Sequence, residues 1–431
     1  MENLNMIRAA VCDLNGVWRG KLMPAAQLEK VLAGGMRMPL SVPAIDIFGE
    51  DVPDSPLVFT TGDADGICLP TERGALHEPW QSGEAKFVPV VMQDESGVPS
   101  PIDPRQILAA VASKLKARGL TPVMAIEMEF YLVDASGAQP EPPAGQNSAD
   151  MLALDNLADY GSYFEEVYEA CAGFGIPADA AISEGGAGQF EINLLHGNDP
   201  LLAADNAVFF KRIVKGVARK HGIDASFMPK PYADAAGSGL HVHFSLLDEA
   251  GDNVFDDGSE EGSDTLRHCV AGLLKLMPAS TLIFAPHLNS YRRLTPGSHA
   301  PTGIGWGYEN RTSAIRIPGG PAKARRIEHR VAGADANPYL LLAVLLAGVL
   351  EGLEQRENPP AATEGNAYEA KLAQLPAEWG AAISAFEAEP ALAHHLNSQF
   401  CESFAAIKHQ EFGRFARRVS DFEVATYLGV V

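Results

Sequence analysis

The chain of 431 residues has few cysteines and a deficit of basic residues. Its five cysteines are scattered without CxxC spacing, which argues against a disulfide framework or a zinc ribbon and is typical of a reducing compartment. The 33 Lys and Arg residues against 55 Asp and Glu residues give a formal net charge of −22. Binding to nucleic acid generally needs a basic surface, so we expect no nucleic-acid partner.

The sequence also has no apolar run long enough for a membrane span. Its most apolar stretch, residues 338–350, is shorter than the roughly 20 residues that a spanning helix needs, and it predicts a buried helix instead. The first 16 residues include two acidic side chains, unlike a signal peptide. We therefore expect a cytoplasmic protein without a membrane partner. No GxxxxGK[ST] motif is present, which excludes a P-loop enzyme.

The distribution of turn residues divides the chain into two predicted domains. Residues 1–100 contain short β-like runs separated by Gly and Pro, which indicates a small, mostly β domain. Residues 101–431 alternate helical and strand patterns and end in a helical region, and Asp103 followed by Pro104 is a typical helix start. Residues 135–149 are rich in Pro, Gly and Ala, and we expect a mobile surface insertion there.

Five predicted strands carry an unusual polar face. Side chains alternate between the two faces of a strand, so VMAIEMEFYLV at 123–133 places Glu127 and Glu129 together on one face. The segments at 188–195, 240–246, 314–318 and 326–331 repeat this alternation. Each strand alone could have an ordinary solvated face. Together, however, these segments and the turn before residue 188 supply five glutamates that could all be metal ligands, Glu127, Glu129, Glu184, Glu191 and Glu328, with His241 and His243 sharing the polar face of the segment at 240–246.

The chemistry of these faces favours phosphoryl transfer. Carboxylates without cysteine suit Mg²⁺ or Mn²⁺, and the number of carboxylates favours two or three ions. The cationic positions on these faces are all arginine, which binds phosphate or carboxylate through two parallel hydrogen bonds. Divalent ions and arginines side by side indicate an enzyme that stabilises a phosphate group during its transfer.

In the order of their motifs, these residues resemble the glutamine synthetase superfamily. The matching stretches are Glu127-Met-Glu129-Phe, Glu184 to Glu191, Phe227 to Pro231, Gly237 to Ser245, Asn289 to Gly297, Asn310 to Pro318, Arg326 to Arg330 and Asn337-Pro-Tyr339. The resemblance implies an α+β fold with an N-terminal β-grasp domain and a creatine-kinase-like catalytic domain built on a curved antiparallel sheet. It also implies a homo-oligomer, a dodecamer of two stacked hexameric rings, with active sites between neighbouring subunits.

The resemblance assigns roles to individual residues. Glu129, Glu184 and Glu191 look like ligands of one metal, and Glu127, His241 and Glu328 like ligands of the metal that bridges the ATP phosphates. The glutamate pocket is implied at Gly237, Arg293 and Arg330, and the phosphate contacts at Arg311 and Arg316. His243, Ser245 and Arg316 look like nucleotide contacts. Arg326 remains open between a phosphate contact and a partner in an ion pair.

Within the superfamily the chain looks most like the γ-glutamylpolyamine (γ-glutamylputrescine) synthetase branch, in polyamine and nitrogen metabolism. Glutamine synthetases carry a Glu in the flap where this chain has His299, and an Asp-Gly-Ser-Ser turn where it has Asp46-Ile-Phe-Gly. A neutral imidazole removes negative charge from an ammonium pocket. The implied reaction joins L-glutamate to putrescine, a polyamine or a small monoamine, with ATP as co-substrate and with Asp46 and His299 as candidate proton acceptors. Two alternatives remain: a glutamine synthetase that uses ammonia, with His299 merely replacing Glu as a base, and a catalytically inactive relative.

Overall fold

The computed structural model describes residues 5–58, 62–134 and 151–431. The predicted insertion at 135–149 lies outside the described residues. Two sheets and a layer of helices make up the fold. The two-domain division at residue 100 stays a prediction, since buried residues of the N-terminal region, such as Leu14 and Phe87, belong to the same large core as those of the second region.

The N-terminal sheet has six strands in the order β2-β1-β6-β4-β3, with β5 paired to β6. Strands β1 and β6 run parallel and the other pairs are antiparallel. One face of this sheet packs Val31 of helix α1 with Ile7 and Val88. The elements are β1 (Met6–Cys12), β2 (Trp18–Pro24), α1 (Leu28–Leu32), β3 (Met36–Pro39), β4 (Asp65–Pro70), β5 (Leu76–His77) and β6 (Lys86–Gln93).

The second sheet has eight strands in the order β12-β13-β14-β11-β7-β9-β8, with β10 paired to β7. All its pairs are antiparallel except β12 with β13, which run parallel, so the expected antiparallel sheet has one parallel edge pair. The strands are β7 (Thr121–Val133), β8 (Ala178–Ser183), β9 (Gln189–Gly197), β10 (Asp224–Ser226), β11 (Leu240–Leu247), β12 (Trp306–Tyr308), β13 (Ile315–Ile317) and β14 (Ile327–His329).

Helices cover the apolar face of the second sheet. Asp103 caps α2 by accepting from the backbone N–H groups of Arg105 and Gln106, as the sequence predicts. The helices are α2 (Pro104–Lys116), α3 (Leu154–Ala158), α4 (Gly161–Gly173), α5 (Pro200–Lys220), α6 (Asp264–Phe284), α7 (Ser290–Arg293), α8 (Pro338–Gln355), α9 (Trp379–Ala388), α10 (Pro390–His395), α11 (Ser398–Ala416) and α12 (Asp421–Tyr427).

Helix α8 confirms the predicted buried helix. By length and composition it could cross a membrane, and no other helix in the described ranges could. Its residues, however, are 83% buried inside the protein, where it packs against α6 and α2. Gly272 of α6 sits so close to α8 that an added Cβ would lie 2.2 Å from the Gly348 carbonyl oxygen. We therefore assign α8 to the core.

Helix α11 joins the two ends of the chain through a buried polar cluster. The Lys408 ammonium donates to the Glu411 carboxylate at 2.9 Å and to the Asn15 side chain at 2.5 Å. The Asn15 amide and the Ile47 backbone N–H donate to Glu411 Oε1 at 2.9 and 2.8 Å. Because Lys408 and Glu411 are fully buried, each charge depends on these partners, and the cluster fixes the loop after Ala44 against α11.

Candidate active site

The register of the second sheet aligns its polar positions in one row. Glu191 of β9 lies opposite Glu129 of β7, and Glu127 lies opposite His241 of β11. His243 lies opposite Glu328 of β14, which in turn lies opposite Arg316 of β13. Partners directly opposite on one face of a sheet are within side-chain contact. The polar faces predicted from the sequence therefore form a single row of side chains across β9, β7, β11, β14 and β13. We call it the carboxylate row.

Glu127 lies at the centre of this row. Its Oε2 is 3.4 Å from His241 Nδ1, and its Oε1 is 3.0 Å from His243 Nε2. Two sets of side chains bring possible ligand atoms within 4.8 Å of one another: Glu127 with Glu191 and His241, and Glu127 with His243 and Glu328. These sets share Glu127, so two ions held here would be close neighbours.

The carboxylates of the row repel one another. Burial, together with the Glu129 charge, raises the pKa of Glu184 to about 7. Burial and the neighbouring carboxylates, Glu127 first, raise the pKa of Glu191 to about 9. Burial also opposes ionisation of Glu127, but hydrogen bonds from His241 and His243 outweigh it and hold the Glu127 pKa well below its usual range. Hard divalent cations would remove this repulsion, and the oxygen-rich donor set fits Mg²⁺ or Mn²⁺.

His243 lies beside the candidate metal ligands and contacts an arginine. Arg326 Nε donates to His243 Nδ1 at 3.2 Å. His243 Nε2 is 3.0 Å from Glu127 Oε1 and belongs, with Glu127 and Glu328, to one of the two candidate ligand sets. Both histidines are therefore within reach of an ion beside Glu127, and Arg326 has a partner within the site.

A cluster of arginines borders the row on the β13–β14 side. Arg316 Nη1 donates to Glu328 Oε2 at 2.7 Å, and Arg330 Nη1 contacts Glu328 Oε1. Arg293 is 4% exposed and anchors Nη1 on the Val331 carbonyl oxygen at 2.8 Å. Arg311, in the loop before β13, is exposed. The cluster forms a pocket for anionic groups next to the carboxylate row.

Two glycines allow the arginines and the carboxylates to approach each other. An added Cβ on Gly237 would lie 2.8 Å from both Arg293 Cγ and the Pro229 carbonyl oxygen. An added Cβ on Gly239 would lie 2.7 Å from Arg293 Nη2 and 3.0 Å from His241 Nε2. The Gly239 backbone N–H also donates to Glu129 Oε2 at 2.8 Å. The neighbouring groups are therefore too close to leave room for a side chain at either position.

We expect Gly239→Ala to lower the rate of turnover at least about tenfold, because the new methyl group displaces the Arg293 guanidinium and the His241 ring together. The melting temperature is expected to change little, since the displaced groups can move toward the open site. Steady-state kinetics and thermal unfolding check this expectation. The matched control is Gly161→Ala, at the first residue of α4, where φ is not positive and an added Cβ would meet nothing within 4 Å. Unchanged kinetics in Gly239→Ala would contradict the arrangement.

A cavity of about 790 Å³ opens beside the row. Its polar lining includes Glu127, His243 and Ser245 together with Lys323 and Arg326. Apolar side chains line much of the rest, including Val123 of β7 and Leu194 of β9. A cavity with an apolar body and one charged end suits a nucleotide whose phosphates reach the carboxylate row.

Comparison with known proteins places the chain in a family. A family model described as glutamine synthetase, catalytic domain, matches residues 101–427. The chain belongs to the glutamine synthetase family. It is 38% identical to Gamma-glutamylputrescine synthetase PuuA of Escherichia coli, covering 98% of this chain and 91% of that protein. It is 33% identical to a Glutamate--isopropylamine ligase of a Pseudomonas species (100% and 96% covered) and to a Glutamine synthetase of Pyrococcus abyssi (96% and 94% covered).

Solved structures agree with this assignment. The structure titled "GmaS/ADP complex-Conformation 1" superposes with a TM-score of 0.88 at 29% identity, covering 99% of this chain and 97% of that one. The α+β fold predicted from the glutamine synthetase resemblance is therefore confirmed. The chain is an enzyme of the ligase class, and ligases of this family use ATP and divalent metal ions.

Two residues proposed as proton acceptors differ in their surroundings. Asp46 is fully buried, and its Oδ1 accepts from the backbone N–H groups of Phe48 and Glu50 at 2.9 Å, while its Oδ2 accepts from the Gln410 amide at 2.8 Å. Both oxygens accept hydrogen bonds within this subunit, and the role of Asp46 as a proton acceptor in a neighbouring subunit's site stays a prediction. His299 is exposed, with a left-handed φ of 63°, in the segment of the family's flap.

Two polar residues that contact the site, Gln189 and Glu309, were not assigned from the sequence. Gln189 Nε2 donates to the Gly237 carbonyl oxygen at 3.1 Å and to Glu129 Oε2 at 3.3 Å, so it joins the two sides of the site. Glu309 Oε1 accepts a hydrogen bond from Arg316 Nη2 at 3.3 Å. Strand alternation in β9 puts Gln189 on the same face as Glu191, and this pattern could have identified Gln189. Glu309 lies on a turn, where no sequence pattern indicates a role.

Proposed function

We propose that this enzyme joins the γ-carboxylate of L-glutamate to the nitrogen of an alkylamine, with ATP as co-substrate and γ-glutamyl phosphate as the intermediate. The main support is the row centred on Glu127, in which four carboxylates and His241 lie beside a buried arginine pocket and a large cavity, with the Glu184 carboxylate close enough to feel their charge. Few reactions need divalent cations, an anion pocket and a nucleotide-sized cavity in contact. The family relationship supplies the ligase class.

The first half of the proposed reaction is phosphoryl transfer to glutamate. Two or three Mg²⁺ or Mn²⁺ ions, when bound by the six ligands, would neutralise the phosphates of ATP and the charge that develops during transfer. Arg293 and Arg330 would hold the glutamate α-carboxylate, since both guanidinium groups are buried beside the row. Arg311 and Arg316 would contact the transferring phosphate, and His243, Ser245 and Arg326 would contact the nucleotide in the cavity.

The second half is attack of the amine on the acyl phosphate. The carbon–nitrogen bond forms, phosphate leaves, and the amine nitrogen gives up a proton. His299 is our candidate acceptor, because it is exposed in the flap and histidine is the side chain most often used for proton transfer in enzymes. A closed flap would keep water from the acyl phosphate.

The choice of an alkylamine over ammonia depends on two positions. The flap carries an imidazole at His299 instead of a carboxylate, which lowers the negative charge available to ammonium. The turn at Asp46 presents Phe48, whose side chain is 50% exposed with the Arg414 guanidinium 4.6 Å from its ring centre. In the proposed ring-shaped oligomer, a dodecamer with sites between subunits, this aromatic ring would give a neighbour's amine pocket an apolar wall.

A glutamine synthetase activity is the second candidate, because relatives that carry this name match the chain at 32–33% identity. An amine panel separates the two. We expect glutamate-dependent ADP formation with putrescine, isopropylamine, methylamine or ethanolamine to exceed that with ammonium at least about tenfold in kcat/KM. The measurement is coupled ADP release, with omission of glutamate as the control. A preference for ammonium would overturn the alkylamine proposal, and no ADP formation with any amine would support an inactive relative.

A further inference from the structure

A second cavity lies on the other side of helix α5, between that helix and the β1–β2 hairpin. Its volume is about 610 Å³. Among the described residues that line it, six are Lys or Arg and none is acidic. In a chain with a net charge of −22, such a concentration of cations is unexpected. None of these residues belongs to the carboxylate row or the arginine pocket.

Some of the cations lining this cavity are neutralised by carboxylates outside it. Glu78 is fully buried and accepts from Arg8 at 3.1 Å and from Arg212 at 2.6 Å. Arg219 pairs with Asp224 at 3.1 Å, and Lys220 pairs with Glu166 at 2.6 Å. These ion pairs hold the wall of the cavity in place.

Lys211 and Lys215 have no such partner among the described residues. The Lys211 ammonium donates to the Ala336 carbonyl oxygen at 2.8 Å, and both ammonium groups lie 5.6 Å from the centre of the Phe227 ring. Burial and the neighbouring Lys215 lower the pKa of Lys211 to about 7. Two cations so close together are costly unless an anion joins them.

The Trp18 ring forms a rigid part of the same wall. It stacks on Phe209 at 5.5 Å between ring centres. Its Nε1–H is buried inside the protein, so Trp18 gives the cavity an aromatic surface and no hydrogen bond. A chromophore fixed in the wall can report on a ligand in the cavity.

We propose that this cavity binds a small oxyanion that carries phosphate or carboxylate groups, held by Lys211 and Lys215 beside the Trp18 ring. The two lysines lie four residues apart on one face of α5, so a single oxyanion could accept a charge-assisted hydrogen bond from each ammonium group. This cavity shares no lining residue with the carboxylate row. Its ligand would therefore bind to the enzyme without competing with glutamate or ATP. The inference does not depend on which amine the enzyme uses.

Tryptophan fluorescence tests this site directly, since Trp18 and Trp80 line the cavity and the chain has four tryptophans. Sulfate and malonate, as probes for phosphate-like and dicarboxylate ligands, are titrated without metal or nucleotide, against sodium chloride at equal ionic strength. We expect a saturable change with at least one probe, at half-saturation near about 1 mM or below. The responding probe identifies the ligand class.

Lys215→Gln is expected to raise the half-saturation concentration at least about tenfold. The matched control is Lys371→Gln, an exposed position outside the cavity, which is expected to leave it unchanged. Lys211→Gln replaces the test variant if thermal unfolding shows that Lys215→Gln does not fold. The proposal is overturned by equal half-saturation in the wild type and the test variant, or by a response that sodium chloride reproduces.

Discussion

Glutamine in place of Glu127 is expected to lower glutamate-dependent ADP formation at least about a hundredfold. Glu127 is the carboxylate that both candidate ligand sets share, with His241 and His243 at 3.4 and 3.0 Å from its two oxygens. The substitution keeps the shape of the side chain but removes its charge, so the ions and the phosphates that they neutralise would lose a common partner. Coupled kinetics at saturating substrates measure the loss.

A readout other than activity separates a metal ligand from a merely structural carboxylate. Mn²⁺ is expected to raise the melting temperature of the wild type and to raise it less in Glu127→Gln, because an ion that binds only the folded state stabilises it. Glu249→Gln, in the exposed turn after β11, is the matched control and keeps the wild-type response. An equal Mn²⁺ response in Glu127→Gln and the wild type would show that Glu127 is not a ligand.

Lysine in place of Arg293 is expected to raise KM for glutamate at least about tenfold while KM for ATP changes little. The Arg293 guanidinium is buried, and its Nη1 is fixed on the Val331 carbonyl oxygen at 2.8 Å, which leaves its remaining N–H groups for a carboxylate. An ammonium group can neither span this geometry nor form two parallel bonds to one carboxylate. Initial rates over a matrix of glutamate and ATP concentrations give both constants.

The neighbouring Arg292 provides the control for that substitution. Arg292 lies on the same short helix but is exposed, so Arg292→Lys preserves the charge and is expected to preserve both KM values. Should Arg293→Lys raise KM for ATP as strongly as KM for glutamate, the residue supports the whole site and is not specific to the glutamate pocket.

The carboxylate row could be predicted from the sequence because strand alternation is a local rule. Glu127 and Glu129 are two residues apart, so a strand places them on one face whatever the rest of the chain does. The register then brings Glu191 and His241 opposite them. Register depends on long-range pairing, which one sequence does not determine, and the resemblance to the family supplied what alternation could not.

Tertiary contacts explain what the sequence could not reveal. Asp46, a predicted proton acceptor, accepts a hydrogen bond from Gln410, which lies 364 residues further along the chain. Arg326 donates to His243 Nδ1, and its role stays a prediction. In both cases the partner lies on a different element, and no spacing in the sequence encodes that contact.

The buried cluster of Asn15, Lys408 and Glu411 has a consequence for biosynthesis. Asn15 is made early and Glu411 close to the end, so the ribosome has released nearly the whole sequence before the loop at Ile47 gains its hydrogen bond. An N-terminal region that emerges first cannot settle this loop during translation. The loop at Ile47 therefore reaches its final conformation only after α11 has been synthesised. A nascent chain that stalls before α11 lacks this hydrogen bond.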